Sequence, residues 1–325
     1  MPESKRALII KIGAIGDAIM ALPLARELKR KGFTVTWVAG TEITPVLGLV
    51  PEIDEIIRVN QHSLFGNIFS AAFEIVRTWF KLLRTWPDEI FVLHGDYRYS
   101  FLVPIWFPRS RLSFVRAKTR RHHTFEYARL AFLESEDNEL KFDPYSLNST
   151  QPRLPRTVCL FPGGARNALR DDPLRRWPVD SYVELTKHLI EAGFKVTISG
   201  GPSDHWIEPS FTSLKNKVEW AVGQMKLPET ITFLQTQSLA VTHDTGPIHL
   251  ASMAECPTVS IFGPTLAATV APLRFQHLAV ELDPKLPCQP CYDGKNYGIC
   301  TNNLCLKELS PHTIFKKITA YFQTT

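Results

Sequence analysis

One short grammar is written twice in this chain, and it limits the fold more than any single residue does. "ALIIKIG" is an apolar, β-branched run closed by Gly13, and "DAIMALPLAREL" follows with apolar residues at helical spacing. In the second half "TVCLFPGGA" runs into a glycine turn, and "VDSYVELTKHLIEAG" follows as a helix ended by Gly193. "FTVTWVAG", "DEIIRV" and "DEIFVLHGD" read as further strands of the first half, while "KVTISGGP", "TITFLQTQSLAVTHDTG" and "PTVSIFGPT" carry the pattern through the second. Strands alternating with helices predict an α/β fold whose parallel sheets are covered on both faces. In such sheets ligands collect at the carboxyl ends of the strands.

The chain has 325 residues, 44% of them hydrophobic, which suits two cores of roughly 150 residues better than one. Between 140 and 156 the pattern lapses into "KFDPYSLNSTQPRLPR", rich in Pro, Ser and Asn. That stretch is the expected linker, dividing two Rossmann-like domains at 1–150 and 151–325. "SPHTIFKKITAYFQ" reads as a terminal amphipathic helix capped by Ser310, with a return onto the N-terminal domain as one option. "LFGNIFSAAFEIVRTWFKLLRTW" is a second amphipathic segment, with Glu74, Arg77, Lys81 and Arg84 on its polar side. The expectation is that its apolar side packs on the N-terminal sheet. The alternative is contact of Trp79, Phe80, Lys81 and Trp86 with the inner-membrane surface.

A formal net charge of +5 favours an anionic partner, but the excess is spread along the chain and does not point to nucleic acid. "MPESKRALIIKIG" passes from a short polar start into a strand without an apolar export signal, and no stretch reaches the ~20 apolar residues of a membrane span. The expectation is a cytoplasmic protein. Its six cysteines then argue for thiols or a metal site over a disulfide framework.

Three motifs carry chemistry. In "HDTGPIHL", Gly246 permits a tight turn and Pro247 suits the first turn of a helix, whose free N–H groups can hold a phosphate facing Asp244, Thr245 and His249. An ordinary strand-to-helix cap is the alternative, but "FGPT" supplies a second such turn soon after. "PGGARNALRDDPLRRWP" joins the Gly163–Gly164 turn to four arginines, Arg166, Arg170, Arg175 and Arg176, whose guanidinium forks match phosphate oxygens. A solvated charged loop would look the same. "KIGAIGDAIMALP" places Asp17 just after Gly13 and Gly16, where a carboxylate serves either as a helix cap or as a functional group.

Taken together and in this order, "KIGAIGDAIMALPLARELKR", "FPGGARNALRDDPLRRWP" and "HDTGPIHLASMAECPTVSIFGPT" resemble glycosyltransferase family 9, the ADP-heptose lipopolysaccharide heptosyltransferases. The resemblance implies a GT-B fold, with an acceptor-binding N-terminal domain and a nucleotide-sugar-binding C-terminal domain across a cleft. It implies Asp17 as general base and Arg175, standing where the family often has lysine two positions before "WP", as the charge on the donor phosphates. Gly163, Gly164, Arg176, Gly200, Asp244, Thr245, Gly246 and His249 fall on the donor side, and Gly13, Gly16, His94 and Asp96 on the acceptor side. The implied reaction moves a heptose or similar sugar from a nucleotide-diphosphate donor to the anionic lipopolysaccharide core with inversion, and it requires no cofactor. A relative acting on another glycan or on a protein, or an inactive nucleotide-sugar binder, would carry much of the same pattern. "CQPCYDGKNYGICTNNLC" adds Cys288, Cys291, Cys300 and Cys305, a set suited to a structural zinc or iron. Some relatives that glycosylate autotransporter proteins hold iron in a cysteine cluster of this kind.

Overall fold

The computed structural model describes residues 5–114, 120–131, 144–149, 151–166, 171–293 and 296–324. The chain forms two compact units, Met1–Tyr145 and Ser146–Thr325. The first holds a five-stranded sheet of β1 (Arg6–Ile10), β2 (Thr34–Gly40), β3 (Glu55–Val59), β4 (Glu89–Val92) and β5 (Leu112–Phe114), in the order β3-β2-β1-β4-β5. All its pairings are parallel. Leu8, Ile9, Ile10, Val35 and Trp37 are buried whichever way they alternate, as strands covered on both faces require.

The second unit repeats the plan with six parallel strands. These are β6 (Thr157–Phe161), β7 (Lys195–Gly200), β8 (Glu219–Val222), β9 (Leu239–His243), β10 (Thr258–Ile261) and β11 (Ala279–Val280), ordered β11-β10-β9-β6-β7-β8. The first helix after each leading strand also ends the same way. Gly32 (φ 82°) and Gly193 (φ 80°) take the left-handed conformation. The next residue then sends its N–H back to the last turn, Phe33 to the Leu28 carbonyl at 3.0 Å and Phe194 to that of Leu189 at 2.9 Å. This is a Schellman closure, and a Cβ at either glycine would strain it.

The terminal helix Pro311–Thr324 begins with the Ser310 hydroxyl accepting the Thr313 N–H at 3.1 Å. It buries Ile314 and Ile318 in the core of its own unit, and Phe322 meets Phe194 with ring centroids 4.9 Å apart. Trp177, buried, donates its indole N–H to the Leu309 carbonyl at 2.9 Å. The "WP" segment and the start of the terminal helix are thereby tied together. Among the described residues no helix is long and apolar enough to cross a membrane.

The helix Ile68–Lys81 departs from expectation. Its buried members are Glu74 and Thr78, while Phe69, Phe73 and Phe80 are exposed. The side that reads as polar in sequence is therefore partly the inner one. Glu74 accepts the Asn60 N–H at 2.7 Å and pairs with Arg77 at 2.5 Å, which satisfies a carboxylate that burial would otherwise penalise.

Candidate active site

Each sheet changes direction beside its leading strand, and these switch points are where open α/β sheets hold ligands. In the first unit the switch lies between β1 and β4, which pair Ile10 with Val92. Lys11 follows β1 and is buried. Its ammonium donates to the Leu93 carbonyl at 3.0 Å, to the Tyr127 hydroxyl at 3.3 Å and to Asp17 Oδ2 at 3.1 Å. Asp17 sits in the first turn of the helix Ile15–Arg30, but that helix has Ala14 at its N-cap and no side-chain cap bond. The carboxylate is thus not spent on capping. His123 Nδ1 stands 3.9 Å from its other oxygen, and about a third of the Asp17 side chain, 34%, is open to solvent.

Burial pulls the Asp17 pKa upward, yet the Lys11 ammonium and His123 outweigh it and hold the carboxyl well below the usual carboxylate range. The group is ionised throughout the neutral range. The same ammonium makes it a weak base, so it suits a proton transfer that comes late, when the donor oxygen has already become acidic.

The other residues expected on the acceptor side serve as braces. His94 Nε2 accepts the Ile12 N–H at 3.0 Å, and its ring stacks on Tyr99 at 3.6 Å. Burial, followed by the nearby Lys11 charge, lowers the His94 pKa well below the ordinary imidazole value. Asp96 receives the Arg98 N–H at 2.9 Å and its Nε at 2.8 Å. A Cβ at Gly13 would stand 2.6 Å from Gln61 Nε2, so glycine there permits the Gln61 amide to reach the Ile12 carbonyl at 3.1 Å. Gly16 is buried in the helix's first turn.

In the second unit the switch lies between β6 and β9, which pair Phe161 with Thr242. Gly163 and Gly164 follow β6, and Asp244, Thr245 and Gly246 follow β9. Gly164, at φ 87°, lies so close to Thr245 that an added Cβ would be 3.3 Å from its hydroxyl. Asp204, unnoticed in the sequence, binds the first turn to β7: its two oxygens accept the Gly164 and Gly201 N–H groups, each at 2.8 Å. A Cβ on Gly163 would collide with Asp204 Cγ at 2.4 Å and one on Gly200 would meet Asp204 Oδ2 at 2.9 Å.

Arg175 is the charge at the centre. It reaches Asp172 Oδ2 at 3.0 Å and Asp244 Oδ2 at 3.4 Å, and the Thr265 hydroxyl of "FGPT" donates to the same Asp244 oxygen at 2.7 Å. Burial works against its charge, but Asp244, Tyr297 and Asp172 outweigh this and raise its pKa above the ordinary guanidinium value. Arg176 donates from Nε to the Gly164 carbonyl at 2.9 Å, pairs with Asp171 and lies over the Trp206 ring at 5.4 Å. His249 is buried on the helix Gly246–Met253. That helix has Thr245 at its N-cap with no side-chain cap bond, so its leading N–H groups are not occupied by the Thr245 hydroxyl. Arg166 is exposed at the rim, and Arg170 lies outside the described residues.

The profile of glycosyltransferase family 9 (heptosyltransferase) matches residues 121–298. The chain belongs to glycosyltransferase family 9. Among family members, lipooligosaccharide heptosyltransferase 2 of Campylobacter jejuni serotype O:2 is 34% identical over 321 residues, spanning 93% of this chain and 94% of the relative. Lipopolysaccharide heptosyltransferase 2 of Salmonella typhimurium is 28% identical over 151 residues, 45% of this chain and 41% of that relative, so this match spans less than half of it. The structure of E. coli ADP-heptose LPS heptosyltransferase II superposes with a TM-score of 0.74 at 19% identity, covering 98% of this chain and 99% of that one. The fold of this family 9 member is GT-B.

The cysteine-bearing segment braces the turn after β10. Cys291 and Tyr292 both give their N–H to the Pro264 carbonyl, at 3.0 and 3.1 Å, and Gln289 Nε2 reaches the Gly263 carbonyl at 2.9 Å. Tyr297 of the same segment stands within electrostatic reach of Arg175. The four thiols influence one another electrostatically, but among the described residues no group of three or more His, Cys, Asp or Glu is arranged to hold a metal ion. Cys288 and Cys300 are exposed, and the buried Cys305 turns its thiol to Asn303 Oδ1 at 3.5 Å. The zinc or iron expected from spacing is thus not supported by the arrangement. Sequence spacing does not single out Lys11, Asp204 or Tyr297, whereas Thr265 belongs to the "FGPT" turn already read beside "HDTGPIHL". Of the first three, Lys11 offers a signal, as a lone cation inside "ALIIKIG".

Proposed function

We propose that the chain is an inverting glycosyltransferase that moves a heptose from ADP-heptose to the lipopolysaccharide core at the cytoplasmic face of the inner membrane. What supports this most is the convergence of Arg175, Asp244 and Thr265 on the helix start at Gly246, with the Gly164 turn against Thr245. A guanidinium beside a glycine turn and a helix start that the Thr245 hydroxyl does not cap suits a diphosphate. The sugar and the acceptor are those in the names of the relatives.

In the proposed reaction the acceptor oxygen attacks the anomeric carbon from the face opposite the diphosphate. The carbon–oxygen bond to the diphosphate breaks, and its electron pair leaves with the nucleoside diphosphate. Arg175 and the helix N-terminus stabilise that growing charge. The acceptor proton passes to Asp17 Oδ, late in the step, because Lys11 keeps that carboxylate weakly basic. Lys11 acts through Asp17 as a positioning residue. Thr245, Gly246 and His249 take the donor side, and Gly13 and Gly16 shape the turn that carries Asp17.

Incubation of the purified chain with ADP-heptose and a heptose-free core acceptor should release free ADP and yield a product of inverted anomeric configuration by NMR. Retention of configuration, or ADP release only with another sugar donor, would overturn the assignment. The four cysteines have no part in this chemistry.

A further inference from the structure

The helix Ile68–Lys81 turns its apolar side to solvent. Phe69, Phe73, Val76, Phe80 and Leu83 follow one another by four, three, four and three residues and lie on one stripe. All five are exposed, Phe69 to 84%. The stripe continues onto the segment Tyr97–Arg111. Trp79 meets Trp106 edge to face at 5.7 Å and gives its indole N–H to the Phe101 carbonyl at 2.9 Å, and Phe101 and Ile105 beyond it are again exposed. Contiguous apolar patches of this kind mark interaction sites.

The charges around the patch are mostly basic, with Glu55, Asp88, Glu89 and Asp96 at its margins and Asp96 paired to Arg98. From Ile56 to Pro87 the chain carries Arg58, Arg77, Lys81 and Arg84 against a single acid, Glu74, and from Tyr97 to Arg111 it carries three arginines and no acid. Glu74 is buried and paired with Arg77, so it offers no negative charge at the surface. Arg58, Lys81, Arg84, Arg98 and Arg109 are exposed. A second copy of the chain seated here would set like charges against each other. A surface of phosphate headgroups over hydrocarbon is complementary in both charge and polarity.

We propose that this face docks the chain on a bilayer bearing anionic phospholipid. The helix lies in the interfacial plane, the phenylalanine stripe enters the boundary between headgroups and acyl chains, and Lys81 and the arginines meet the phosphates. This deepens the proposed transfer by naming the surface that brings the chain to a membrane-held acceptor, and it rests on that reading only for its purpose.

The test is sedimentation of the full chain with vesicles of phosphatidylcholine, alone or mixed with phosphatidylglycerol, containing no saccharide. Binding is expected with the mixed vesicles and should weaken as salt rises. Phe69→Ser combined with Phe73→Ser should lower the partition coefficient by roughly 100-fold. Lys81→Glu with Arg84→Glu should lower it by roughly 10- to 100-fold and remove most of the salt dependence. Because these side chains are exposed, thermal midpoints should stay near that of the unaltered chain. The proposal fails if the unaltered chain ignores both vesicle types, or if the folded variants bind as it does. It fails equally if the phenylalanine changes dissociate an oligomer and leave vesicle binding intact. Sugar transfer to a detergent-dispersed acceptor is measured separately, so a chain that transfers but ignores vesicles refutes this docking alone.

Discussion

The two switch points use charge in opposite ways. Beside β1 a buried lysine holds a carboxylate ionised and leaves it partly open to solvent. Beside β6 and β9 two acids hold an arginine, with Thr265 sharing one of their oxygens. In the first the group presented is an anion on a cationic support, and in the second a cation on an anionic support. One strand-turn-helix plan thus presents a carboxylate in one unit and a guanidinium in the other, the groups proposed as proton acceptor and anion cradle.

The contrast is broken most severely at Asp17. Asp17→Asn keeps the shape and removes the proton acceptor, so turnover should fall by roughly 10²- to 10⁴-fold with donor affinity nearly unchanged. Near-normal turnover in steady-state assays would remove Asp17 from the chemistry. Arg175→Ala should cost about 10²- to 10³-fold in turnover and less in nucleoside diphosphate affinity, because charge on the leaving group grows in the transition state. If only the donor Michaelis constant moves, Arg175 is a ground-state contact.

Lys11→Met sharpens the comparison, since it removes the support and leaves the carboxylate. Turnover should fall by roughly tenfold, and the acid limb of the pH–rate profile should move to higher pH as Asp17 returns toward its ordinary range. An unmoved profile would mean that Lys11 only fills space. For the cradle, Thr245→Val and His249→Ala should each weaken nucleoside diphosphate binding by about 5- to 20-fold in calorimetry. Unchanged affinity in both would displace the diphosphate from this turn.

The smallest effect is one of pH and stability. Burial, aided by Arg176 and Arg175, lowers the pKa of His243 from 6.5 to about 3. The unfolded chain therefore takes up a proton that the folded one refuses, and stability is lost as pH falls from 6.5 toward about 3. The Asp17 contribution runs lower, being present above 3.8 and lost below it. Burial lowers the His94 pKa of the first unit in the same direction, so acid titration followed by separate probes should show both units losing stability as pH falls below 6.5. Stability unchanged between pH 6.5 and about 5 in both would mean that neither histidine governs it.

The strand ends and glycine turns were legible because periodicity and turn chemistry are local. Asp17 follows β1, Gly164 follows β6, and Asp244 and Thr245 follow β9, as the strand-and-turn reading places them. β5 and β11, of three and two residues, carry too little alternation to read, and β8 (Glu219–Val222) is poorer in β-branched residues than the equally short β4 and β10. The helix Ile68–Lys81 was recognised but turned the wrong way, since a pattern shows that two faces differ and not what each one meets. Asp204 lies 40 residues from the Gly164 N–H it holds, and no local rule joins them. Metal-ligand spacing in the cysteine segment finds no support among the described residues, because spacing fixes which thiols are near and not how their sulfurs are aimed.

The order of the second sheet sets a condition on assembly. β6 pairs with β9 across the whole of β7 and β8, and Arg175 meets Asp244 across 69 residues of chain. No early folding fragment contains both halves of this arrangement, so the proposed nucleotide site is complete only once this long loop has closed. During synthesis, a chain released before β9 emerges should bind no nucleoside diphosphate. Ligand added to the complete chain should in turn slow the opening of the β6–β9 seam, because it stabilises only the paired state.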